Sequence, residues 1–169
     1  MDPVNTRWLS DEEMAAWKRL VAVLELLPGA LDSQLRRDAD LTHFDYYVLA
    51  MLSEAREKTL RMTLLAAQTS ATLPRLSHVI RRLETRELVT RFPCPDDARA
   101  TNVRLTDVGL QKVEATASGH VENVRHYVLD ALTAEQITQL TLISDALLQR
   151  LDPSGAMASM YSKDRPATD

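Results

Sequence analysis

The sequence predicts a mainly α-helical protein with one short β-hairpin near its middle. Apolar residues recur at steps of three and four along most of the 169-residue chain, which is the period of amphipathic helices. The alternation typical of strands is confined to Leu88–Phe92 and Thr101–Thr106, on either side of a polar turn at Pro93–Ala100. The hairpin also lies in the most basic part of the chain.

Charge is unevenly distributed along the sequence. Between Arg56 and Arg104 there are ten Arg or Lys residues against five acidic ones, whereas residues 1–55 have five bases and ten acids, and residues 105–169 have five bases and nine acids. The formal net charge of −4 therefore hides a local excess of five positive charges, ten minus five. A basic surface in an acidic protein is typical of a site for a polyanion, and we expect double-stranded DNA.

The helix predicted over Thr72–Leu88 has an apolar face and a basic face. Thr72 is placed to cap it, and Pro74 lies in the first turn, where a missing N–H is tolerated. A buried stripe is expected at Leu73, Leu76, Ile80 and Leu83. The opposite face carries donors for phosphates or base edges: Arg75, Ser77, His78, Arg81 and Arg82. Taken alone, this face is equally consistent with an ordinary solvated surface.

The elements around this helix favour DNA binding. A short helix is predicted over Arg61–Thr69 before it, and the hairpin follows it. Two helices followed by a two-stranded wing form a winged helix-turn-helix. The predicted fold class is therefore mainly α, a winged helix-turn-helix with a two-stranded wing and long N- and C-terminal dimerisation helices.

Sequence motifs in the wing resemble those of the MarR family of bacterial transcription regulators. The motifs are Leu88-Val89-Thr90-Arg91, then Asp97-Ala98-Arg99-Ala100, then Val103-Arg104-Leu105-Thr106 with Gly109, and the resemblance spans about Trp8 to Leu151. It implies that Arg75 and His78 face the major groove, that Arg99 enters the minor groove and that Asp97 orients Arg99. Arg91 is included in the expected DNA-binding set. One departure is Glu87, where the family usually has a glycine suited to a left-handed turn.

Helices are also predicted before the basic unit. Ser10 and Glu13 form a capping-box pattern that opens a helix to about Arg37, and Pro28-Gly29 is expected to bend this helix without ending it. Thr42 is expected to begin a second helix, whose inward-facing residues are Phe44, Val48, Leu49 and Leu52.

Two amphipathic helices are predicted after the wing. Thr106 caps the first, over Asp107–Leu132, and Thr133 with Gln136 caps the second, which ends near Leu151. A winged domain offers these helices little to pack against, so their apolar stripes predict a homodimer, as the resemblance also implies. The tail Ser154–Asp169 is interpreted as mobile. The expected segments are an N-terminal arm and dimerisation helix (1–40), a DNA-binding domain (41–106), C-terminal dimerisation helices (107–152) and a tail (153–169).

The resemblance further implies a small aromatic ligand between the dimerisation helices and the winged domain. The aromatic and polar residues available to line such a cleft are Trp17, His43, Tyr46, Tyr47 and His120. Trp17 and Tyr46 fall at helical spacing, and large aromatic residues in that position are more often plain core. Tyr47 and His120 are better candidates because each puts a polar tip on an apolar helix.

Other chemistry has little support in the sequence. His120 and His126 are six residues apart and fall on different helix faces, so we expect no metal site and no cofactor. Cys94 lies between two prolines without a paired base, which predicts a turn residue, although Arg91 and Arg99 leave a redox role open. No apolar run has the length of a membrane span and no signal peptide is recognised, so we expect a cytoplasmic protein without membrane contact.

The sequence as a whole predicts a transcriptional regulator, a repressor that responds to a ligand and binds a pseudopalindromic operator as a homodimer. Two alternatives stay open. The first is a protein-interaction module whose basic face binds an acidic partner without operator specificity. The second is an enzyme that uses His120 or Cys94, which would require a turnover lost on replacing either residue.

Overall fold

The computed structural model describes residues 6–95 and 97–161 and is mainly α-helical, as predicted. A small antiparallel sheet lies near the middle of the chain. The elements in chain order are α1 (Asp11–Ala39), α2 (His43–Glu54), β1 (Thr59–Arg61), α3 (Met62–Gln68), α4 (Leu73–Thr85), β2 (Val89–Cys94), β3 (Asp97–Leu105), α5 (Asp107–Tyr127), α6 (Ala134–Leu151) and α7 (Ala158–Tyr161), with 3₁₀ turns at Arg56–Lys58 and Leu129–Ala131.

Helix α1 begins and continues as the sequence predicts. The Ser10 hydroxyl accepts a hydrogen bond from the Glu13 amide at 3.2 Å, and the Glu13 carboxylate accepts one from the Ser10 amide at 2.8 Å. The helix runs through Pro28 to Ala39, and the next residue, Asp40, adopts a left-handed conformation with φ of 52°. The first half of α1 buries no side chain, and its only buried residues lie after Pro28.

The core of the molecule lies where α2, α3 and α4 meet the sheet. Of the residues of α2 that were predicted to face inward, Val48, Leu49 and Leu52 are fully buried. Phe44 is partly buried and packs at the edge of the core. On α4, Leu76, Ile80 and Leu83 are buried as predicted, and Val79 is buried as well.

The prediction that Leu73, the first residue of the apolar stripe on α4, is buried is wrong. Its side chain is 45% exposed. It is the first residue of α4, and it lines an open cleft between α3, α4 and the wing. An apolar spacing identifies a helix face but not how far along that face the core extends.

The sheet has three strands, in the order β1-β3-β2, and the predicted two-stranded wing is its β2–β3 part. Strand β1 was not predicted; it pairs Thr59 with Arg104 across 45 residues of sequence. The wing strands also extend into the predicted turn at Pro93–Ala100, since Pro93 pairs with Thr101 and Cys94 with Asp97 around an irregularity. Pro93 is tolerated because β2 is an edge strand, which does not need every N–H for pairing.

The corner between α4 and β2 adopts a left-handed turn without glycine. Glu87 has φ of 59°, and the next amide, that of Leu88, donates to the Leu83 carbonyl at 3.0 Å. Gly109 is the glycine that this corner does require. A Cβ there would lie 2.1 Å from the Leu88 carbonyl oxygen, because α5 begins directly against the corner.

The C-terminal helices begin where predicted, but the first of them is shorter than expected. Thr106 caps α5 through the Gly109 amide at 2.9 Å, yet α5 ends at Tyr127 and a 3₁₀ turn occupies part of the predicted extension to Leu132. The predicted Thr133–Gln136 capping box opens α6.

Part of the segment predicted as a mobile tail forms local hydrogen bonds and a short helix. The Asp152 carboxylate accepts hydrogen bonds from the amides of Ala156 and Met157 at 2.9 and 2.8 Å, just before α7. The last part of that prediction, residues 162–169, lies outside the described residues. No helix in the described chain has the length and apolar character needed to span a membrane.

Candidate nucleic-acid interface

The exposed face of α4 carries the first part of the candidate interface. Thr72 caps the helix by accepting a hydrogen bond from the Arg75 amide at 3.4 Å, and Pro74 follows in the first turn. Arg75, His78 and Arg81 project from this face and are exposed. The helix therefore presents two guanidinium groups and an imidazole to solvent.

Arg75 is held in place by an aromatic ring. Its guanidinium carbon lies 4.3 Å from the centre of the Phe44 ring, on the first turn of α2. A cation over an aromatic face at this distance is attracted by the ring quadrupole. The side chain is thus directed by α2 and is not an unrestrained surface arginine.

Arg82 and Arg86, at the other end of α4, point to the corner between α1 and α2. Arg82 donates to the carboxylate of Asp45, which is 2% exposed. Arg86 donates to the Asp40 carbonyl at 2.7 Å and approaches the Asp40 carboxylate at 3.4 Å. The basic residues of this region therefore differ in pairing, because Arg82 and Arg86 form ion pairs within the protein.

The wing is joined to α4 by an ion pair. Arg91 on β2 approaches a Glu84 oxygen with Nη2 at 2.5 Å and Nε at 2.9 Å, and its amide donates to the other oxygen at 3.1 Å. These hydrogen bonds hold the pKa of the Glu84 carboxyl below its usual range. Arg91 is therefore paired with a carboxylate of α4, and its role in DNA binding stays a prediction.

At the tip of the wing, Asp97 accepts a hydrogen bond from the Arg99 amide at 3.0 Å. The Arg99 side chain is exposed. It lines a cleft of about 260 Å³ between the wing, α3 and α4, which the half-buried Ser77 and the exposed Leu73 also line. This cleft therefore brings Ser77, Arg91 and Arg99 together. Arg75 and His78, which are also on α4, line a different groove.

Sequence analysis missed the residues that support this surface. Phe44, Asp45, Glu84 and Arg86 were not among the candidate residues, although each contacts a basic side chain or the α1–α2 corner. For Asp45 a signal existed, because Thr42 and Asp45 have capping-box spacing and both capping hydrogen bonds are present. The other contacts join distant segments and leave no local pattern.

Three of the five predicted ligand residues come together between α2 and α5. The ring of His120 lies 4.6 Å from that of Tyr46 and 6.2 Å from that of His43. Burial lowers the pKa of both histidines and raises that of the Tyr46 hydroxyl. Nδ1 of His120 is buried and has no hydrogen-bond partner among the described residues.

The other two predicted ligand residues lie apart from this cluster. The Tyr47 hydroxyl donates to the Gln68 carbonyl at 3.0 Å, which directs it to α3, and Trp17 is 53% exposed on the first half of α1. A groove of about 710 Å³ runs between α1, α2 and α4; it adjoins the cluster at His43 and reaches Arg75 and His78.

Cys94 is buried at the end of β2, and the Arg61 guanidinium lies 3.3 Å from its sulfur. Arg91, one of the two arginines considered for this contact, is engaged with Glu84. Within the described residues, no group of three or more His, Cys, Asp or Glu side chains is arranged to hold a metal ion.

Comparison with solved structures identifies the family. The chain is 41% identical to Sco3205 from Streptomyces coelicolor, a MarR family transcriptional regulator solved in complex with DNA, with a TM-score of 0.85 over 90% of this chain and 95% of that one. The chain belongs to the MarR family of transcriptional regulators. Another MarR family regulator from S. coelicolor, AbsC, is 37% identical, with a TM-score of 0.81 over 86% of this chain and 98% of AbsC.

Sequence comparison agrees with this assignment to the MarR family. The family's sequence model matches residues 41–101, which cover α2 to most of β3. The HTH-type transcriptional repressor IacR from Pseudomonas putida is 27% identical over 119 residues, 70% of each protein. The resemblance inferred from the wing motifs is therefore confirmed.

Proposed function

We propose that this MarR-family protein is a repressor that binds a pseudopalindromic operator in double-stranded DNA as a homodimer, and that a small aromatic ligand releases it. The observation that carries the proposal is the surface formed by α4 and the wing. Arg75, Arg81 and Arg99 are exposed there and form no ion pair with any residue in ranges 6–95 and 97–161. That Sco3205 was solved in complex with DNA supports DNA as the partner.

Different side chains have different roles in this proposal. Arg75 and His78 read base edges in the major groove, where guanidinium and imidazole donors can discriminate between base pairs. Arg99 enters the minor groove and responds to its width, with Asp97 holding the backbone at the wing tip. Phosphates are met by Arg81 and by polar groups at the start of α4, including Thr72 and Ser77.

The homodimer is supported by the apolar surface of α6. None of its residues is buried within the chain, although the helix carries the exposed apolar residues Ile137, Leu140, Leu142, Ile143, Leu147 and Leu151. A second copy most simply covers such a face. In this proposal segments 1–40 and 107–152 form the dimer, segment 41–106 binds DNA and segment 153–169 is a tail.

The ligand is proposed to bind near His43, Tyr46 and His120. These rings offer aromatic surface beside a buried imidazole nitrogen that lacks a partner among the described residues. A small aromatic molecule with a hydroxyl group would supply both a ring to stack and a donor for Nδ1.

Selection of bound fragments from a random DNA pool tests the proposal. We expect one enriched pseudopalindrome, protected in footprints as two half-sites about one helical turn apart. If about three side chains of each protomer meet phosphates, the log–log dependence of affinity on salt should have a slope near −5. A slope near zero would exclude DNA as the partner. Salt-dependent binding with no enriched sequence would instead favour the basic-faced interaction module.

A further inference from the structure

We propose that Asp45 is a positioning residue for operator binding: by holding Arg82 it fixes the orientation of α4, and neither Asp45 nor Arg82 contacts DNA. This inference rests on the proposed function. It reassigns Arg82, which the sequence alone placed among the DNA-binding residues, to a role inside the protein.

The Asp45 carboxylate is buried and bonded on both oxygens. Only 2% of the residue is exposed; Oδ2 accepts the Thr42 amide at 2.9 Å, and Oδ1 accepts Nη2 of Arg82. Removing Arg82 would leave the buried Asp45 carboxylate without a compensating charge, which is more costly than breaking an ion pair between two exposed side chains. The pair therefore resists separation by a competing anion such as a phosphate.

Arg82 is placed to control the direction of the reading side chains. It lies two helical turns after Arg75 on the same face of α4, a distance of about 10 Å along the axis. One turn further, Arg86 donates to the Asp40 carbonyl at 2.7 Å. Two successive anchors on the α1–α2 corner fix the rotation of α4 about its axis, and with it the direction of Arg75 and His78.

The first turn of α2 also contacts the basic face of α4 at Arg75. Phe44, the residue before Asp45, lies under the Arg75 guanidinium. The first turn of α2 thus contacts α4 at Arg75 and at Arg82, and a change at Asp45 is transmitted to both ends of the reading surface. Replacing Arg82 can therefore weaken DNA binding even though its side chain contacts no phosphate.

The test separates positioning from phosphate binding by the dependence of affinity on salt. The probe is the duplex that the parent protein selects from a random pool, and the variants are Arg82→Gln, Arg82→Lys, Asp45→Asn and the double variant Asp45→Asn/Arg82→Gln. We expect Arg82→Gln and Asp45→Asn each to bind roughly tenfold more weakly with an unchanged salt slope. The double variant should be no weaker than the weaker single variant, and Arg82→Lys should retain most of the affinity.

The control is Arg81→Gln, the exposed neighbour of Arg82. Removing one phosphate-binding side chain from each protomer should make the slope shallower by about 1.8. The positioning role is overturned if Arg82→Gln behaves like this control while Asp45→Asn binds normally, or if both variants bind as the parent does.

Folding of each variant is checked by circular dichroism. If Asp45→Asn does not fold, the comparison of Arg82→Gln with Arg82→Lys decides, because Arg82 is 43% exposed and the lysine keeps a cation beside Asp45. An unchanged slope with rescue by lysine supports the inference, whereas a shallower slope for Arg82→Gln overturns it. If the parent protein selects no duplex, both the proposed function and the positioning role of Asp45 are excluded. If only the positioning role is wrong, the parent protein still selects a duplex.

Discussion

Glu84, near the end of α4, and Arg91, on β2, form an ion pair that joins the helix to the wing. Nη2 and Nε of Arg91 lie 2.5 and 2.9 Å from one oxygen of Glu84, and the Arg91 amide lies 3.1 Å from the other. Three hydrogen bonds to one carboxylate fix the angle between the two elements that are proposed to enter adjacent grooves of DNA.

The first prediction concerns the pH dependence of this pair. The Arg91 hydrogen bonds lower the pKa of Glu84 below its ordinary 4.5. The unfolded chain therefore takes up the proton first, so the pair stabilises the fold above pH 4.5 and this contribution is lost as pH falls through the lowered pKa. Because both side chains are about one-third exposed, Glu84→Gln should lower the free energy of unfolding by only about 0.5 to 1 kcal/mol at pH 7.

Urea unfolding at a series of pH values measures this effect. The difference between Glu84→Gln and the parent should shrink as the solution is acidified below pH 4.5. The control is Glu122→Gln on α5, an exposed position. A difference that persists undiminished in acid would show that the glutamine acts by some route other than the ion pair.

The second prediction separates base reading from groove-width reading. Arg75→Ala should cost about 1 to 3 kcal/mol on the selected operator and reduce discrimination against substituted base pairs. Arg99→Ala should weaken binding most on operators with A·T-rich, narrow flanking minor grooves. Both should remain folded dimers, and Arg150→Ala at the end of α6 should bind as the parent does. Unchanged binding by Arg75→Ala would mean that α4 is not the reading helix.

The third prediction concerns dimerisation through α6. Leu140 and Leu147 lie seven residues apart on one face and are 41% and 42% exposed in the single chain. If a second copy covers this face, replacing both with Asp buries two unpaired carboxylates, each at a cost of several kcal/mol. The double variant should sediment as a monomer or unfold, and it should lose operator binding.

The matched control for dimerisation adds the same charge at polar positions of α6, as Gln139→Asp/Gln149→Asp. Sedimentation should report this control as a dimer. A Leu140→Asp/Leu147→Asp protein that stays dimeric and binds DNA normally would place the interface elsewhere on the chain.

The fourth prediction follows from the buried histidines. Burial lowers the pKa of His43 and His120 below their ordinary 6.5. As pH falls through 6.5 the unfolded chain binds protons that the folded chain does not, so stability is lost until pH passes the lowered values. Thermal unfolding between pH 8 and about pH 5 should show this loss.

The fourth prediction is checked with paired histidine variants. His120→Gln should flatten part of the pH dependence, because one of the two buried titrating groups is removed. His126→Gln, at an exposed position later on the same helix, should leave the profile unchanged. Equal flattening by both variants would contradict an origin in the cluster with Tyr46.

Features specified by neighbouring residues were predictable from the sequence. Helix caps are one example: those at Ser10, Thr42, Thr106 and Thr133 each join residues that are three apart. The sequence pattern therefore predicts the hydrogen bond directly. The motifs of the wing identified the family for a similar reason, because a turn and its flanking strands form one continuous segment.

Tertiary structure alone decided which basic side chains are paired within the protein. Arg75 and Arg82 occupy equivalent places on the basic face of α4 and both are exposed. Arg82 nevertheless pairs with Asp45, 37 residues earlier in the chain, whereas Arg75 lies over the Phe44 ring. The strand β1 and the exposure of Leu73 were likewise set by distant partners. Helical periodicity assigns a residue to a face, but a buried carboxylate brought there by another helix determines whether an arginine on that face is available to DNA or pairs within the protein.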